Sequence, residues 1–235
     1  MLKKLLEFNS SRHRLHEENA MFAKNMPEKS LVLDAGCGDA PYKHLFDSMR
    51  YESADFTQSN REYAEQITYV CDLKSIPVKS GRFDFIICNQ VLEHIPEPQA
   101  VINELHRVLK PGGKMLLTAP LFYQEHEQPY DYFRYTQFGW RYLLEKPGFV
   151  VKRLDWMEGF FGLCGYFFEV MYYSLPKKPE DIGGKTGTIA APFLFLLRPL
   201  LAILAILFHR LEKHAKVRVG TGPKNYVIIV SKTKK

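Results

Sequence analysis

Four cysteines in 235 residues, with no C-x-x-C pair and no metal-ligand spacing, exclude a disulfide-stapled scaffold and a cysteine-zinc module. Cys37, Cys71 and Cys88 fall in strand-like segments or their turns, so they and Cys164 are expected as buried, reduced thiols. No secretory leader is expected either: the run from Met1 to Glu7 has no continuous apolar stretch and no small-residue cleavage site, so the cytosol is the expected compartment. The pair His126-Glu127 lacks a histidine four residues after the first, because Tyr130 stands there, so the helical zinc-site pattern is absent and no metal is expected. Acidic residues nearly run out toward the end. Arg210, Lys213, Lys216, Arg218, Lys224, Lys232, Lys234 and Lys235 face only Glu212, which concentrates the net charge of +6 there. Such a flank is either a solvated face or a surface for anionic lipid or nucleic acid.

What is present is a globular α/β pattern, with 46% apolar and 25% charged residues. A polar-amphipathic helix is expected over residues 11–26, ended by Pro27. Strands follow at 31–34, 51–55, 68–71, 83–88, 115–118 and 149–154, with a last one at 225–231. Helices are expected near 42–49, at 98–109 with Pro111-Gly112-Gly113 as its stop, and around 137–145. Alternating strands and helices imply a parallel sheet, which binds ligands at the carboxyl ends of its strands. The first such end reads Leu33-Asp34-Ala35-Gly36-Cys37-Gly38-Asp39-Ala40, an acidic residue followed by a tight glycine turn. Asp55 ends the next strand about twenty residues on, where a carboxylate accepts two ribose hydroxyls.

In order, this turn, Asp55, Cys71-Asp72-Leu73, the strand ending at Asn89, Val91-Leu92-Glu93-His94 and Leu109-Lys110-Pro111-Gly112-Gly113 make the chain resemble the class I S-adenosylmethionine-dependent methyltransferases, in particular the small bacterial, ubiquinone-pathway-like type. The resemblance covers residues 28–157 and the last strand. It implies a Rossmann-like seven-stranded sheet with helices on both faces, and S-adenosyl-L-methionine as cofactor. It also implies that Asp34, Gly36 and Gly38 line the methionine end, Asp55 holds the ribose, Asp72 and Leu73 meet the adenine, and Asn89 lines the same site. Glu93-His94 is read as structural or cofactor-side. The loop from His126 to Thr136 follows the fifth strand, so it is expected as the acceptor wall, with His126 as base and Asp131 orienting it, unless Asp131 simply pairs with Arg134.

The methyltransferase pattern breaks at residues 158–219, which are expected as an apolar helical insertion between the last two strands, the remainder (1–157 and 220–235) forming the cofactor domain. In the family the sixth strand and its neighbours are expected to run parallel, so the insertion should overhang the ligand edge. It contains the aromatic stretch 159–175, a Pro/Gly/Lys linker and the apolar run 189–208, which Arg198-Pro199 interrupts at a membrane cost of about 2.5–3.5 kcal/mol. A single crossing would put the last strand on the wrong side of a bilayer. The preferred reading is an interfacial hairpin on the inner face of the membrane, ahead of a lid or homodimer surface, with a two-pass span last. The expected function is O-methylation of a lipid-linked, glycan or other amphipathic acceptor. Its rivals are C-methylation of a quinone-like lipid and a non-catalytic binding scaffold. Nucleic acid is disfavoured, since Asn89-Gln90-Val91-Leu92 is not the Asn/Asp-Pro-Pro-aromatic motif of base amino-methylation.

Overall fold

A computed structural model of the chain describes residues 10–56, 67–176, 178, 181–220 and 222–234. They form two compact units, one of residues 15–157 with 225–234 and one of residues 10–14 with 158–224.

The larger unit is built on seven strands: β1 (Leu31–Ala35), β2 (Arg50–Asp55), β3 (Tyr69–Val70), β4 (Phe83–Asn89), β5 (Leu109–Pro120), β6 (Phe149–Trp156) and β7 (Asn225–Lys232). Their order is β3-β2-β1-β4-β5-β7-β6. β3, β2, β1, β4 and β5 are parallel, whereas β7 runs antiparallel to both β5 and β6. The expectation that the sixth strand's neighbours are parallel is therefore corrected: its hydrogen-bonded neighbour is β7, and β6 is parallel only to strands beyond it.

Alternation along the strands decides the two faces. Val32, Ile87, Leu116 and Val227 point to one side, where Leu15, Phe22 and Ala23 of α1 (Ser10–Lys24) cover them. Leu33, Ile86, Met115, Leu117 and Ile228 point to the other. There they meet Val101 and Leu105 of α2 (Pro98–Val108) and Trp140 and Leu144 of α3 (Gln137–Glu145). Thr136 caps α3, its hydroxyl accepting the Gly139 N–H.

Two local expectations fail. The helix at 42–49 shrinks to a single 3₁₀ turn, Lys43–Phe46, because Gly36, Gly38 and Ala40 all take positive φ and the chain is still turning where a helix would start. Pro111-Gly112-Gly113 does not stop a helix but lies inside β5, beside a register shift against β4, with Gly112 at φ +81°. A side chain at Gly113 would strike Leu109 and the Asp84 carbonyl, so the strands approach closely there. Cys37 and Cys88 are buried as expected, whereas Cys71 and Cys164 are half-buried; all four are free thiols, and burial pushes the Cys37 thiol up to about 12.

The smaller unit pairs α4 (Phe160–Ser174) with α5 (Gly184–His214), which continues as one helix through Pro192 and Pro199. Small residues allow the approach: a Cβ at Gly165 would stand 3.0 Å from the His209 ring. Glu212 closes the base, its two oxygens accepting the N–H groups of Gly159 (2.9 Å) and Gly162 (3.0 Å), where α4 begins. His209 lies between the Ser10 hydroxyl and Glu169. Arg198 stacks its guanidinium over the Tyr172 ring and donates to the carbonyls of Tyr172 and Leu175, so the charge that interrupts the apolar run is held against the end of α4. Part of the basic flank is also structural. Lys224 is buried over the Tyr166 ring, and Lys232 in the larger unit donates to the carbonyls of His106 and Leu109.

Candidate active site

β1, β2, β4 and β5 end on one edge of the sheet, and the sequence places chemistry at each end. After β1 the chain turns through Gly36 (φ +76°) and Gly38 (φ +54°), conformations that suit glycine. The space that a Cβ on Gly36 would need is filled by Val91, whose Cγ2 would lie 2.4 Å away. That glycine therefore seats the segment after β4. Gly38 donates its N–H to Asp55 Oδ2 at 2.6 Å, while Oδ1 accepts the N–H of Phe56. A carboxylate offers about four lone-pair positions, so two backbone bonds leave acceptor capacity for a pair of ribose hydroxyls. These residues fit the nucleoside end of S-adenosylmethionine.

Asp34 is buried, and the Tyr51 hydroxyl donates to its Oδ2. Burial outweighs that hydrogen bond, with Asp55 adding repulsion, and pushes the Asp34 carboxyl up to about 7. A cation beside it would favour the ionised form. Asp72 lies at a more open position: Oδ1 accepts the Lys74 N–H, and Lys74 Nζ stands 3.5 Å from Oδ2. Leu73 beside it is buried in the core. Asn89 is committed to the fold's own network, its amide donating to Asn19 and its oxygen accepting the Thr118 hydroxyl.

The loop from His126 to Thr136 is stitched to the turn after β4. The Glu93 carbonyl accepts the N–H groups of Tyr132 (2.8 Å) and Phe133 (3.2 Å), Tyr135 donates to the Leu92 carbonyl, and His94 Nδ1 lies 2.7 Å from the Tyr130 carbonyl oxygen. Arg134 grips Asp131 through both terminal nitrogens, at 2.7 and 2.6 Å, and also donates to the carbonyls of Tyr123 and Gln124. The Arg134 bonds are the main reason that the Asp131 carboxyl falls well below the usual carboxylate range. Asp131 still orients His126, accepting its backbone N–H at 2.9 Å and standing 3.2 Å from Nδ1. Asp131 thus contacts Arg134 and His126 together.

Sequence reasoning missed Glu93 and His94 as members of this constellation. Glu93 is fully buried, neither carboxyl oxygen has a hydrogen-bond partner among the described residues, and burial pushes its carboxyl up to about 8. Glu93, His94 and His126 each place one potential ligand atom within 4.8 Å of the others. The motif around Val91-Leu92-Glu93-His94 was the available signal; nothing in the spacing tied it to His126.

A methyltransferase-domain profile matches residues 33–117, from β1 through most of β5. Residues 33–117 are thus a methyltransferase domain, and the sheet around them has the fold of the class I S-adenosylmethionine-dependent methyltransferases. Among curated relatives, the tRNA (carboxymethyluridine(34)-5-O)-methyltransferase ALKBH8 of Macaca fascicularis is 30% identical over 127 residues, 52% of this chain and 19% of that protein. A ubiquinone biosynthesis O-methyltransferase of Coxiella burnetii is 32% identical over 126 residues, 48% of this chain and 50% of that protein. The chain thus spans half or less of the length of these relatives. Among solved structures, phosphoethanolamine N-methyltransferase 2 of Haemonchus contortus, in complex with S-adenosyl-L-methionine, superposes with a TM-score of 0.54 at 18% identity, covering 92% of this chain and 52% of that one. That likeness supports the methyltransferase fold alone.

Proposed function

We propose that the chain methylates a hydroxyl oxygen of an amphipathic acceptor, lipid-linked or glycan-bearing, at the cytosolic face of a membrane. The observation that carries the reading is the composition of the acceptor loop: Tyr123, Tyr130, Tyr132 and Phe133 are all exposed around His126. Exposed aromatics beside imidazoles suit a ring or chain that is apolar on one side and carries a hydroxyl on the other. S-adenosylmethionine supplies an electrophilic sulfonium methyl, so the chain's own work is to align acceptor with donor and take up one proton. Asp34, Asp55 and the glycine turn serve the donor side. His126 with its neighbours Glu93 and His94 forms the proton-accepting wall. Oxygen as the target is supported by the two relatives, both O-methyltransferases by name.

The membrane part rests on α5, whose segment Ile189–His214 is long and apolar enough to cross a bilayer. Ile189, Phe193, Leu196, Leu200, Ile203 and Leu207 recur at helical spacing and are all exposed, Phe193 to 80%. Arg210, Lys213 and Arg218 are exposed just beyond, which adds attraction to anionic head groups.

Radiolabelled S-adenosylmethionine incubated with the protein and lipid or glycan extracts should leave alkali-stable label on a hydroxyl of an amphipathic product. Label on a ring carbon of a quinone-like lipid would replace oxygen by carbon transfer. Calorimetry should show cofactor binding that weakens by about 10–100-fold in Asp55→Ala, since charge-assisted bonds to ribose contribute about 1.5–3 kcal/mol. His126→Ala should lower turnover with cofactor affinity unchanged. Sedimentation with anionic vesicles should fall in the Phe193→Ser, Leu196→Ser double variant; a soluble dimer indifferent to vesicles would reassign the stripe to self-association.

A further inference from the structure

Three potential ligand groups, from Glu93, His94 and His126, come together where the segment after β4 meets the loop after β5, one atom of each within 4.8 Å of the others. His94 Nδ1 lies 2.7 Å from the Tyr130 carbonyl oxygen, and a carbonyl only accepts, so Nδ1 carries the ring proton and Nε2 holds the lone pair. His126 repeats the arrangement: Nδ1 is 3.2 Å from the Gln124 carbonyl oxygen and 3.2 Å from Asp131 Oδ2, so its Nε2 is also left with the lone pair. Beside them is Glu93, fully buried, with both carboxyl oxygens unpartnered among the described residues and Oε1 3.9 Å from His94 Nε2. The two imidazole rings are edge to face with centroids 4.6 Å apart. A buried carboxylate costs several kcal/mol unless a cation or donors compensate it. Here the neighbours supply lone pairs instead.

We infer that Glu93, His94 and His126 form a binding site for one divalent transition-metal ion of the zinc class. Two neutral imidazoles and one carboxylate, with open positions toward solvent, are the donor set such ions take, whereas magnesium prefers oxygen ligands alone. The second shell is already in place: each histidine is oriented through Nδ1 by an oxygen acceptor, the arrangement that fixes the tautomer of metal-ligating histidines. Asp131 and Arg134 serve His126, and the Tyr130 carbonyl serves His94. Side-chain exposures of 16% for His94 and 28% for His126 leave a path for the ion. The absent helical zinc pattern around His126 did not exclude a site, because the second histidine comes from the turn after β4, brought over by the bonds from Tyr132 and Phe133 to the Glu93 carbonyl.

The catalytic meaning of the ion rests on the methyl-transfer reading above. An acceptor hydroxyl bound at an open position would have its pKa lowered and lose its proton to solvent, leaving the alkoxide for methylation. His126 would then act as a ligand rather than as the base. The existence of the site does not depend on that reading, and the experiment separates the two.

The metal-free full chain is titrated with Co²⁺, followed by visible absorption, and with Zn²⁺ and Mg²⁺ by calorimetry, while S-adenosylmethionine binding is measured on the same samples. The expected result is one Co²⁺ or Zn²⁺ per chain with nitrogen-ligand absorption, and no comparable Mg²⁺ binding. Glu93→Gln, His94→Ala and His126→Ala should each weaken the transition ion by at least about 10–100-fold, the range that loss of a mere second-shell partner produces. Asp131→Asn should weaken it within that range. Retained cofactor binding in these variants shows that the fold survives; should Glu93→Gln fail to fold, the more exposed His126→Ala still decides. Absence of Co²⁺ binding overturns the site, as does binding that persists in the His94→Ala, His126→Ala double variant, which would place the ion elsewhere, such as at the stacked His16 and His44. Failure of the parent chain to bind S-adenosylmethionine would instead sink the methyl-transfer reading and leave the metal result standing.

Discussion

The sheet unit and the helical unit bury carboxylates to opposite purpose. Among the described residues, Glu212 of the helical unit is buried with N–H donors on both oxygens and Arg14 beside it, whereas Glu93 of the sheet unit is buried with none and Asp34 with a single tyrosine hydroxyl. Their surfaces differ as well, since the helical unit exposes a stripe of large apolar residues. A satisfied carboxylate under an apolar exterior is architecture. An undersatisfied one at the edge of a sheet holds free energy in reserve for a ligand to release.

The largest effect that sharpens this contrast is the pH dependence of Asp34. Its carboxyl is raised to about 7 in the folded chain, chiefly by burial, against about 3.9 when unfolded. Below pH 4 both states hold the proton and nothing is lost. As pH rises through 4–7 the unfolded chain releases it first, so stability falls across that window and levels off above the folded pKa. The upper limit is on the order of 4 kcal/mol at about 1.36 kcal/mol per unit. Asp34→Asn keeps an oxygen for Tyr51 and removes the titration. Denaturant unfolding at pH 4, 6 and 8 should therefore show the variant gaining on the parent as pH rises, with cofactor affinity reduced. A constant difference across pH would mean that Asp34 is not held at a cost.

A second comparison uses glycine. Gly36 and Gly183 share φ +76°, but a Cβ meets Val91 at 2.4 Å in the first case and nothing within 4 Å in the second. Gly183→Ala should cost only the backbone strain, about 1–3 kcal/mol, because its ψ of 148° takes it close to a region that only glycine adopts readily. Gly36→Ala adds overpacking of about 1–3 kcal/mol and should also displace Val91 and weaken cofactor binding. Equal losses in thermal unfolding would show that the turn relaxes freely and does not seat the segment after β4.

The third test is Glu212→Gln. Its amide presents one acceptor and one donor to two N–H groups, so it should destabilise by about 1–3 kcal/mol, opposite in sign to Asp34→Asn at pH 8. Cofactor binding should be unaffected. Stabilisation by Glu212→Gln would erase the distinction between the two units.

Much of the sheet was legible because its signals are local. Leu31 to Leu33 is a continuous apolar run closed by Asp34 and glycines, as a strand buried on both faces must be, and Pro98 to Val108 carries one apolar face between proline and the next strand. The fold and its cofactor side could be placed from such runs. The segment after Gly38 was not legible, since a helix and a single 3₁₀ turn share a composition and only the succession of positive φ values separates them. Pro111-Gly112-Gly113 misled for a related reason: stop signals also mark irregularity within a strand, and only pairing with β4 shows which is meant.

The sequence by itself determined the alternation of strands and helices, the glycine turn with Asp34 and Asp55 at adjacent strand ends, and the apolar character of the run that became α5. These follow from periodicity and from residues near one another in the chain. Only the tertiary structure decided that Val91 fills the space above Gly36, that Asp131 serves both Arg134 and His126, and that Glu93 and His94 meet His126. The reason is that unpaired lone pairs and buried charge are properties of surroundings. Residues 93 and 126 become neighbours only when β4 and β5 pair in register and the loop beyond β5 folds back to bond the Glu93 carbonyl.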